Sequence, residues 1–410
     1  MSENSQGQKS LVQQSLGQQS QVQQSDFYGN WHYPTSIRAG IGRISELALA
    51  CKELGMNAPL VVTDPALAAL PMVKQVVVDL VDQGIPCEVF SAIKANPCEQ
   101  NITDGVSAFL QGKHDGIIAF GGGSALDAGK AVALMVGQTR PLWDFEDIGD
   151  NFNRVSVERM AKVIAIPTTS GTGSEVGRAS VITDEQAHIK RIIFHPKMLP
   201  NIVILDAQLT LGLPAGLTAA TGMDALSHAL EAYCAPSFHP MAAGIAIEAI
   251  RLIKEYLPRA TANGNDLEAR AQVMAAATMG ATAFQRGLGG MHALAHPLGA
   301  LYDSHHGLLN AILMPYVLKE NEQAITHKIA RLSRYLALEQ QSFTGFLNWI
   351  LALRSQLAIP HSLQEIGIDT SRAEDIGIMA FNDACAAGNP ITFTAQQYSE
   401  LFKKAVQGEC

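Results

Sequence analysis

Charged and aromatic side chains are scarce in this chain of 410 residues, at 16% and 6% of the sequence. Acidic residues outnumber basic ones and the formal net charge is −9, so neither a nucleic-acid partner nor a polybasic membrane contact is expected. Apolar runs such as residues 308–318 are too short for the roughly 20 residues that cross a bilayer. Hydrophobic residues still make up 47% of the chain, which is enough for one large globular domain or two ordinary ones.

Neither a disulfide framework nor a secretory signal is expected from the sequence. The N-terminal segment has no basic stretch followed by an apolar core, as a secretory signal would. Residues 1–25 instead repeat Gln and Ser, and such a segment buries too little apolar surface to offset the entropy of ordering it. We therefore expect a flexible tail over residues 1–25 and a cytoplasmic protein with reduced thiols. No C-x-x-C pair or close cluster of zinc-binding or disulfide spacing occurs among Cys51, Cys87, Cys98, Cys234, Cys385 and Cys410.

The remaining sequence divides into two halves with different hydrophobic patterns. Residues 26–213 alternate short β-branched runs, such as 116–120 and 163–166, with amphipathic stretches, which predicts an α/β domain with a mainly parallel sheet. Residues 214–410 lack strand-like runs, and their Ala/Leu/Met-rich periodicity predicts an all-helical domain. The cleft between the two domains is the expected place for a site.

Two polar, glycine-rich loops follow predicted strands in the first half. In the first loop, Gly121 to Ser124, the glycines let the backbone approach an anion, and Ser124 with Asp127 has the spacing of a helix-capping box. The second loop, PTTSGTGSE over residues 167–175, offers many donors and little bulk. Neither loop has the Rossmann fingerprint or a Walker A motif, and either alone would fit an ordinary strand–helix turn. Together they favour a dinucleotide whose phosphates lie at a helix N-terminus.

Histidines and an aspartate cluster in the helical half. Asp224 and His228 lie four residues apart, which places them on one face of a helix. Further histidines follow in a segment rich in Ala, Leu and Gly, where burial of neutral imidazoles without partners is costly. Three histidines and one aspartate would supply an N₃O donor set for a divalent transition metal such as Fe²⁺ or Zn²⁺. The histidines of this segment are His292, His296, His305 and His306.

Four segments together resemble the iron-containing, or group III, alcohol dehydrogenases. In chain order they are GGGSALDAGKA, PTTSGTGSEVG, ATGMDALSHALEAY and HALAHPLGALYDSHHG. The resemblance extends from residue 33 to the C-terminus and implies the dehydroquinate synthase-like superfold, with an α/β NAD-binding domain followed by an all-α metal domain. It implies Fe²⁺, or Zn²⁺ as in some relatives, held by Asp224, His228, His292 and His306.

The resemblance also implies the residues that bind NAD. Asp64 matches the acidic position beside the adenosine ribose, where a carboxylate accepts from the 2′-hydroxyl and repels a 2′-phosphate, so NAD(H) is expected rather than NADP(H). Lys190 matches a lysine that reaches the cofactor. The other matched positions are Asn96, Gly122, Gly123, Ser124, Asp127, Thr168, Thr169, Thr172, Ser174 and Thr210.

Near the expected metal, the chain has one additional histidine and two departures from the usual family pattern. His296 matches a position beside the nicotinamide that is usually not a ligand, and we assign it to substrate or proton handling. His305 stands where the family usually has proline, so it could compete with its neighbour His306 for the ion. Ile391 follows Asn-Pro where an arginine is frequent, which leaves the substrate side open.

The resemblance implies reversible interconversion of a small primary alcohol and its aldehyde by hydride transfer, and we expect a homodimer or higher homo-oligomer. A polyol or hydroxy-acid dehydrogenase is the main alternative. A metal-dependent hydrolase would leave both loops unexplained, and a non-catalytic assembly protein would have no use for the ligand set. A dehydroquinate synthase-like lyase would need a cationic cluster around the metal, whereas residues 221–307 contain only Arg251, Lys254, Arg259, Arg270 and Arg286.

Overall fold

The structure is a computed structural model that describes residues 33, 35–187 and 189–410. The tail predicted for residues 1–25 lies outside the described residues. Strands in the described part are β1 Ser36–Ala39, β2 Leu60–Val62, β3 Glu88–Phe90, β4 Gly116–Gly121, β5 Lys162–Pro167, β6 Ala179–Asp184, β7 Ile189–Phe194 and β8 Ile202–Leu205.

Six of these strands form one parallel sheet in the order β1-β8-β5-β4-β2-β3. Alternate residues of β4 belong to different cores, with Ile117 and Ala119 on one face and Ile118 and Phe120 on the other. Burial on both faces explains why the strand is an unbroken apolar run. The remaining strands, β6 and β7, pair as an antiparallel hairpin.

Helices cover the sheet and build the second half of the chain. In the first half they are α1 Leu47–Leu54, α2 Pro65–Ala69, α3 Pro71–Asp82, α4 Glu99–Gln111 and α5 Gly123–Met135. In the second half they are α6 Ala215–Cys234, α7 Pro240–Ala262, α8 Leu267–Ala283, α9 Gly290–Tyr302, α10 His306–Glu320, α11 Glu322–Tyr335, α12 Phe343–Gln356, α13 Ala373–Phe381 and α14 Ala395–Gln407.

Helix α6 is the centre of the helical half. Every residue from Thr218 to Cys234 is buried, and the helix packs against α7, α8 and α10. Its small side chains permit this enclosure, since a Cβ on Gly222 would lie 2.2 Å from Cδ1 of Leu257 on α7. A helix that is buried all round must pair its polar side chains internally. Three such side chains on α6 belong to the candidate site.

The predicted fold class is confirmed: a parallel-sheet α/β region precedes an all-helical region. The β6–β7 hairpin and the last two helices, α13 and α14, were not predicted from the sequence. The division at residues 213 and 214 stays a prediction. None of the described helices is long and apolar enough to span a membrane.

Candidate metal and nucleotide site

Asp64 and the two glycine-rich loops, which hold most of the residues predicted to bind the nucleotide, lie at the carboxyl ends of three neighbouring strands. Asp64 follows β2, the first glycine loop follows β4, and the second loop follows β5. Because these strands are parallel and adjacent, the three segments meet at one edge of the sheet. This edge is where open α/β sheets bind ligands.

The two loops pack directly against each other. A Cβ on Gly122 would lie 3.4 Å from Cγ2 of Thr169, and a Cβ on Gly123 would lie 2.6 Å from Cγ2 of Thr172. Thr169 and Thr172 are half-buried at this contact, whereas Thr168 is buried and its N–H donates to Gly121 O at 3.0 Å. Glycine at position 123 therefore lets the second loop close over the first.

The second loop also contacts the helical half of the chain. A Cβ on Gly171 would lie 2.8 Å from the carbonyl oxygen of Thr221 on α6, and a Cβ on Gly173 would lie 2.1 Å from Cβ of Ala281 on α8. Gly173 also has a positive φ of 61°, a conformation that favours glycine. The candidate nucleotide loops thus lie directly beside the helix that carries two predicted metal ligands.

Ser124 does not cap the helix that follows the first loop. Helix α5 begins at Gly123, its N-cap residue is Gly122, and no side chain bonds to that end. The hydroxyl of Ser124 instead donates to the carbonyl of Ala95. The predicted capping box is therefore wrong, and the first N–H groups of α5 are left without a side-chain partner. Such N–H groups suit a phosphate.

Asp127 joins the loops to the β6–β7 hairpin. Its carboxylate accepts from the hydroxyl of Ser174 and, at 2.9 Å, from the N–H of Val181. The ammonium of Lys130 lies 3.2 Å away, and burial lowers the pKa of that lysine although Asp127 opposes the shift. Asp127 and Ser174 thus have protein partners in the structure, and their contact with a cofactor stays a prediction.

Lys190 extends from β7 towards the helical half. Its Nζ donates to Oδ1 of Asn96 at 3.0 Å, and Nδ2 of Asn96 donates to Oδ1 of Asp303 at the end of α9. A Cβ on Gly299 would lie 3.3 Å from Nζ, so the ammonium lies against α9. Burial lowers the pKa of Lys190. Two residues predicted to contact NAD therefore adjoin the helix that carries predicted metal-site histidines.

One carboxylate oxygen of Asp64 accepts hydrogen bonds, and the other lies near the first loop. Oδ1 accepts from the N–H groups of Ala66 and Leu67 at 2.9 and 3.0 Å, which caps α2. A Cβ on Gly121 would lie 3.8 Å from Oδ2 of Asp64, so this oxygen lies near the first loop.

Thr210, which was also predicted to contact the cofactor, is buried, and its hydroxyl donates to the carbonyl of Ala207 at 2.8 Å. Its contact with a cofactor stays a prediction.

The four predicted metal ligands converge. Asp224 and His228 of α6, His292 of α9 and His306 at the start of α10 each place one ligand atom within 4.8 Å of the others. The rings of His228 and His292 stack with centroids 4.8 Å apart, and those of His292 and His306 are 5.3 Å apart. A Cβ on Gly307 would lie 2.5 Å from the carbonyl oxygen of Ala220, so glycine there lets α10 approach α6.

The protonation of the histidines suits a metal ion. Burial lowers the pKa of His228 to about 4, and it lowers the pKa of His306 well below the ordinary value. Both rings are therefore neutral at pH 7 and keep a lone pair for an ion. Three imidazoles and one carboxylate form a donor set that Fe²⁺ and Zn²⁺ both accept, so the residues present fit the group that the sequence predicts.

Asn310 shows that three ligand atoms point to one place. Its Nδ2 lies 2.9 Å from Oδ1 of Asp224 and 3.2 Å from Nε2 of both His292 and His306. Within the described part of the chain, Oδ1 of Asn310 has no hydrogen-bond partner. Asn310 lies one helical turn after His306, so its amide faces the ligand cluster.

Glu231 holds the outer nitrogen of His292. Nδ1 of His292 lies 2.6 Å from Oε2 of Glu231, which leaves Nε2 as the nitrogen for an ion. Burial alone would lower the pKa of His292, but the carboxylate outweighs burial and holds that pKa above the ordinary value. Metal-binding histidines usually have a partner of this kind on the second ring nitrogen.

His296 lies beside the four ligands without joining them. Its ring stacks on that of His306 at 5.5 Å, and its Nδ1 lies 2.8 Å from Oδ2 of Asp383. The N–H of Cys385 donates to the other oxygen of Asp383 at 2.8 Å, and burial raises the pKa of the Cys385 thiol well above the usual range.

His305 caps α10, because its Nδ1 accepts from the N–H of Leu308 at 3.3 Å. His305 is not part of the four-ligand group.

Sequence reasoning missed Glu231, Asn310 and Asp383. The first two had a signal, because Glu231 lies seven residues after Asp224 and Asn310 four after His306, which are spacings of one helix face. Asp383 had none, since its pairing with His296 depends on how distant segments fold together.

Comparison with known proteins agrees with this arrangement. Residues 34–207 match the family model described as iron-containing alcohol dehydrogenase, and residues 218–406 match the C-terminal model of the same family. Sheet, loops and ligand cluster together define a dehydrogenase. The chain belongs to the iron-containing alcohol dehydrogenase family and is an oxidoreductase, so the resemblance stated from the motifs is confirmed.

Curated relatives and solved structures match over nearly their full length. The 4-hydroxybutyrate dehydrogenase of Cupriavidus necator is 36% identical over 385 residues, which cover 92% of this chain and 99% of that protein. The NAD-dependent methanol dehydrogenase of Bacillus methanolicus is 34% identical, with coverage of 92% and 100%. The crystal structure of a 1,3-propanediol oxidoreductase superposes with a TM-score of 0.88 at 32% identity, covering 92% of this chain and 100% of that one.

Proposed function

We propose that the protein interconverts a small primary alcohol and its aldehyde with NAD(H) and one divalent metal ion, Fe²⁺ or Zn²⁺. The observation that carries the proposal is the convergence of Asp224, His228, His292 and His306 beside two glycine-rich loops. Relatives named as dehydrogenases of methanol and 1,3-propanediol, at 34% identity, support an alcohol substrate, and the first is named as NAD-dependent.

The four ligands hold the ion. When bound, a divalent ion polarises the substrate oxygen and favours the alkoxide over the alcohol. His228 and His306 serve as ligands because burial keeps them neutral, and Asp224 supplies the one negative charge among the four. Glu231 contacts the outer nitrogen of His292, whereas Asn310 contacts Asp224, His292 and His306 on the atoms that would face the ion.

The loops at the sheet edge bind the dinucleotide, which accepts or supplies the hydride. The uncapped start of α5, next to Gly122, Gly123 and Thr172, would hold its phosphates. Asp64 would use its free oxygen for the adenosine ribose, which favours NAD(H) over NADP(H). Lys190, buried against α9, would contact the cofactor near the metal-binding residues.

His296 transfers the proton that accompanies the hydride. Asp383 accepts from Nδ1–H of this histidine and thereby leaves Nε2 as the nitrogen that exchanges a proton. The stacking of His296 on the ring of His306 keeps it next to the ligand cluster. Asp383 acts through the histidine and is a positioning residue.

A hydroxy-acid dehydrogenase is the second candidate. Its support is the relative at 36% identity, which is named a 4-hydroxybutyrate dehydrogenase. The two candidates differ in whether the substrate carries a carboxylate. A comparison of kcat/KM for butanal and for succinic semialdehyde, which differ in that group, separates them.

We further propose a cytoplasmic homodimer or higher homo-oligomer. All six cysteines are free, as expected for a reducing compartment. Among the described residues, strand β1 forms one edge of the sheet, and a sheet edge is a natural place for contact with a second copy. Light scattering coupled to size-exclusion chromatography measures the mass in solution directly.

The central experiment is anaerobic purification followed by elemental analysis and an NADH-oxidation screen across aldehydes. Fe²⁺ and Zn²⁺ are each added back to chelator-treated protein. We expect about one ion per chain and turnover that requires the ion. Turnover of an aldehyde at the same rate in metal-free protein would overturn the proposal.

A further inference from the structure

We propose that Glu231 positions His292 for the metal ion and sets the metal affinity of the site, an inference that rests on the proposed metal-binding function. Glu231 is on α6, one turn after His228, and is 6% exposed. It touches no substrate or cofactor in this assignment. Its effect is exerted entirely through His292 and the start of α9.

The Glu231 carboxylate accepts three hydrogen bonds from one short segment. Oε2 accepts from the N–H of Gly289 at 2.8 Å and from Nδ1 of His292 at 2.6 Å, and Oε1 accepts from the N–H of Met291 at 2.7 Å. Two of the three donors are backbone groups at the beginning of α9, which has no capping side chain of its own. Glu231 therefore fixes both the ring and the helix end that carries it.

Two glycines before His292, Gly289 and Gly290, let Glu231 lie close to the start of α9. A Cβ on Gly289 would lie 3.1 Å from Oε1 of Glu231 and 3.0 Å from Oδ1 of Asn389. A Cβ on Gly290 would lie 3.2 Å from the same Asn389 oxygen, which accepts from Gly290 N–H at 3.0 Å. All three Cβ distances are shorter than ordinary carbon contacts, so glycine lets two buried acceptors reach the backbone of α9.

The negative charge of Glu231 is balanced by the groups that it contacts. Within the described residues, its single salt-bridge partner is His292. Because a buried carboxylate must be satisfied by donors or charge, the three hydrogen bonds keep it in place. Its negative charge lies on the far side of His292 from the ligand cluster and adds to that of Asp224 in attracting a divalent cation.

The hydrogen bond also selects the tautomer of His292. A carboxylate can only accept, so Nδ1 carries the hydrogen and Nε2 keeps its lone pair for the ion. A glutamine at position 231 carries an NH₂ group, which can donate to Nδ1 and move the hydrogen to Nε2. The change Glu231→Gln keeps size and shape while removing both the charge and the tautomer selection.

The test is metal binding by the full chain rather than turnover. Chelator-treated wild type and E231Q are titrated anaerobically with Co²⁺, followed by its visible absorption, and with Zn²⁺ in competition with a chromophoric chelator. We expect the dissociation constant of E231Q to rise about 10–100-fold, as for other outer partners of metal-binding histidines. We also expect a changed Co²⁺ spectrum, which a purely structural role would not produce.

The matched control is Asp206→Asn. Asp206 is also a fully buried carboxylate, and it accepts from the N–H groups of Gln208 and Ile44 at 3.1 Å in the sheet half of the chain. D206N is expected to lower the melting temperature without changing metal affinity. If E231Q proves insoluble, E231D keeps the charge but is too short for all three donors, and a roughly tenfold weaker affinity is expected.

The outcomes separate this inference from the proposed function. Wild type that binds one ion per chain, with E231Q or E231D equal to it in affinity and Co²⁺ spectrum, overturns the role of Glu231 and leaves the function standing. Wild type that binds no Co²⁺ or Zn²⁺ overturns the metal assignment itself. Weaker binding in E231Q but not in D206N establishes the role of Glu231.

Discussion

His296 and Asp383 are 87 residues apart in the sequence, yet Nδ1 of the histidine lies 2.8 Å from Oδ2 of the aspartate. The aspartate comes from a 3₁₀ turn after α13, and the histidine lies in the middle of α9. A carboxylate in this position holds an imidazole in one tautomer and one orientation. The pair is the arrangement expected for a proton-transferring histidine and its positioning residue.

Replacing His296 by glutamine should lower kcat by about 10²–10⁴-fold, because general acid–base catalysis contributes about that much. Metal content should stay at the wild-type level, since His296 is not one of the four ligands. Asp383→Asn should lower kcat less. The double variant should be no slower than H296Q alone, and steady-state kinetics with an aldehyde and NADH check this. Additive losses in the double variant would contradict a shared role.

Removal of the one anionic ligand should abolish metal binding. Asp224→Asn preserves the shape of the side chain but leaves three neutral imidazoles to hold a divalent cation. We expect metal affinity to fall by more than about 100-fold, beyond the range for outer partners, and turnover to fall with it. Elemental analysis after reconstitution measures this, with the exposed carboxylate change Glu255→Gln as the control. Full metal content in D224N would refute the ligand assignment.

Coenzyme choice should depend on Asp64. Asp64→Ser removes the charge that repels a 2′-phosphate, while serine can still cap α2 in its place. We expect kcat/KM with NADPH to rise about tenfold or more, because two like charges near a protein surface repel by roughly 1–4 kcal/mol. The ratio of kcat/KM for NADH and NADPH is the measurement. An unchanged ratio would show that Asp64 does not face the ribose.

The metal-free protein should lose stability in mild acid. The pKa of His228 is about 4 when folded and about 6.5 in the ordinary state, so the unfolded chain binds a proton that the folded chain refuses. The stability contributed by neutral His228 is present above pH 6.5 and is lost as the pH falls towards 4. His306 acts in the same direction.

Denaturant unfolding of chelated wild type and His228→Gln at pH 7 and pH 5 tests this dependence. The wild type should lose more free energy of unfolding than the variant between the two values, by an amount on the order of 1 kcal/mol or more. Acid-sensitive groups that do not contact His228 are unchanged in the variant and cancel in the comparison. Equal losses would show that His228 is not held neutral by burial.

Sequence periodicity predicts the sheet core well because buried parallel strands are short continuous apolar runs. The run at residues 116–120 lies within β4, and the run at 163–166 lies within β5. The β6–β7 hairpin was missed because Lys190 and Arg191 interrupt its apolar pattern. Those charges are satisfied by Asn96, Asp184 and Glu146, contacts that depend on tertiary structure.

The candidate site was likewise predictable from the sequence only in part, because some of its contacts depend on tertiary structure. Asp224, His228, His292 and His306 were proposed from the sequence because the resemblance supplied them, and the structure brings their ligand atoms together. Ser124 was wrongly predicted as a helix cap, since local spacing cannot show that Ala95 O offers its hydroxyl an acceptor. The partner Asp383 has no sequence signal, because its contact with His296 forms only when distant segments fold together.

The close fit of Gly171 and Gly173 against α6 and α8 bears on how a coenzyme could enter. At those two points the halves of the chain touch with no room for even a methyl group. We expect a coenzyme to reach the loops from another side, because nothing as large as a methyl group passes between the halves at this contact.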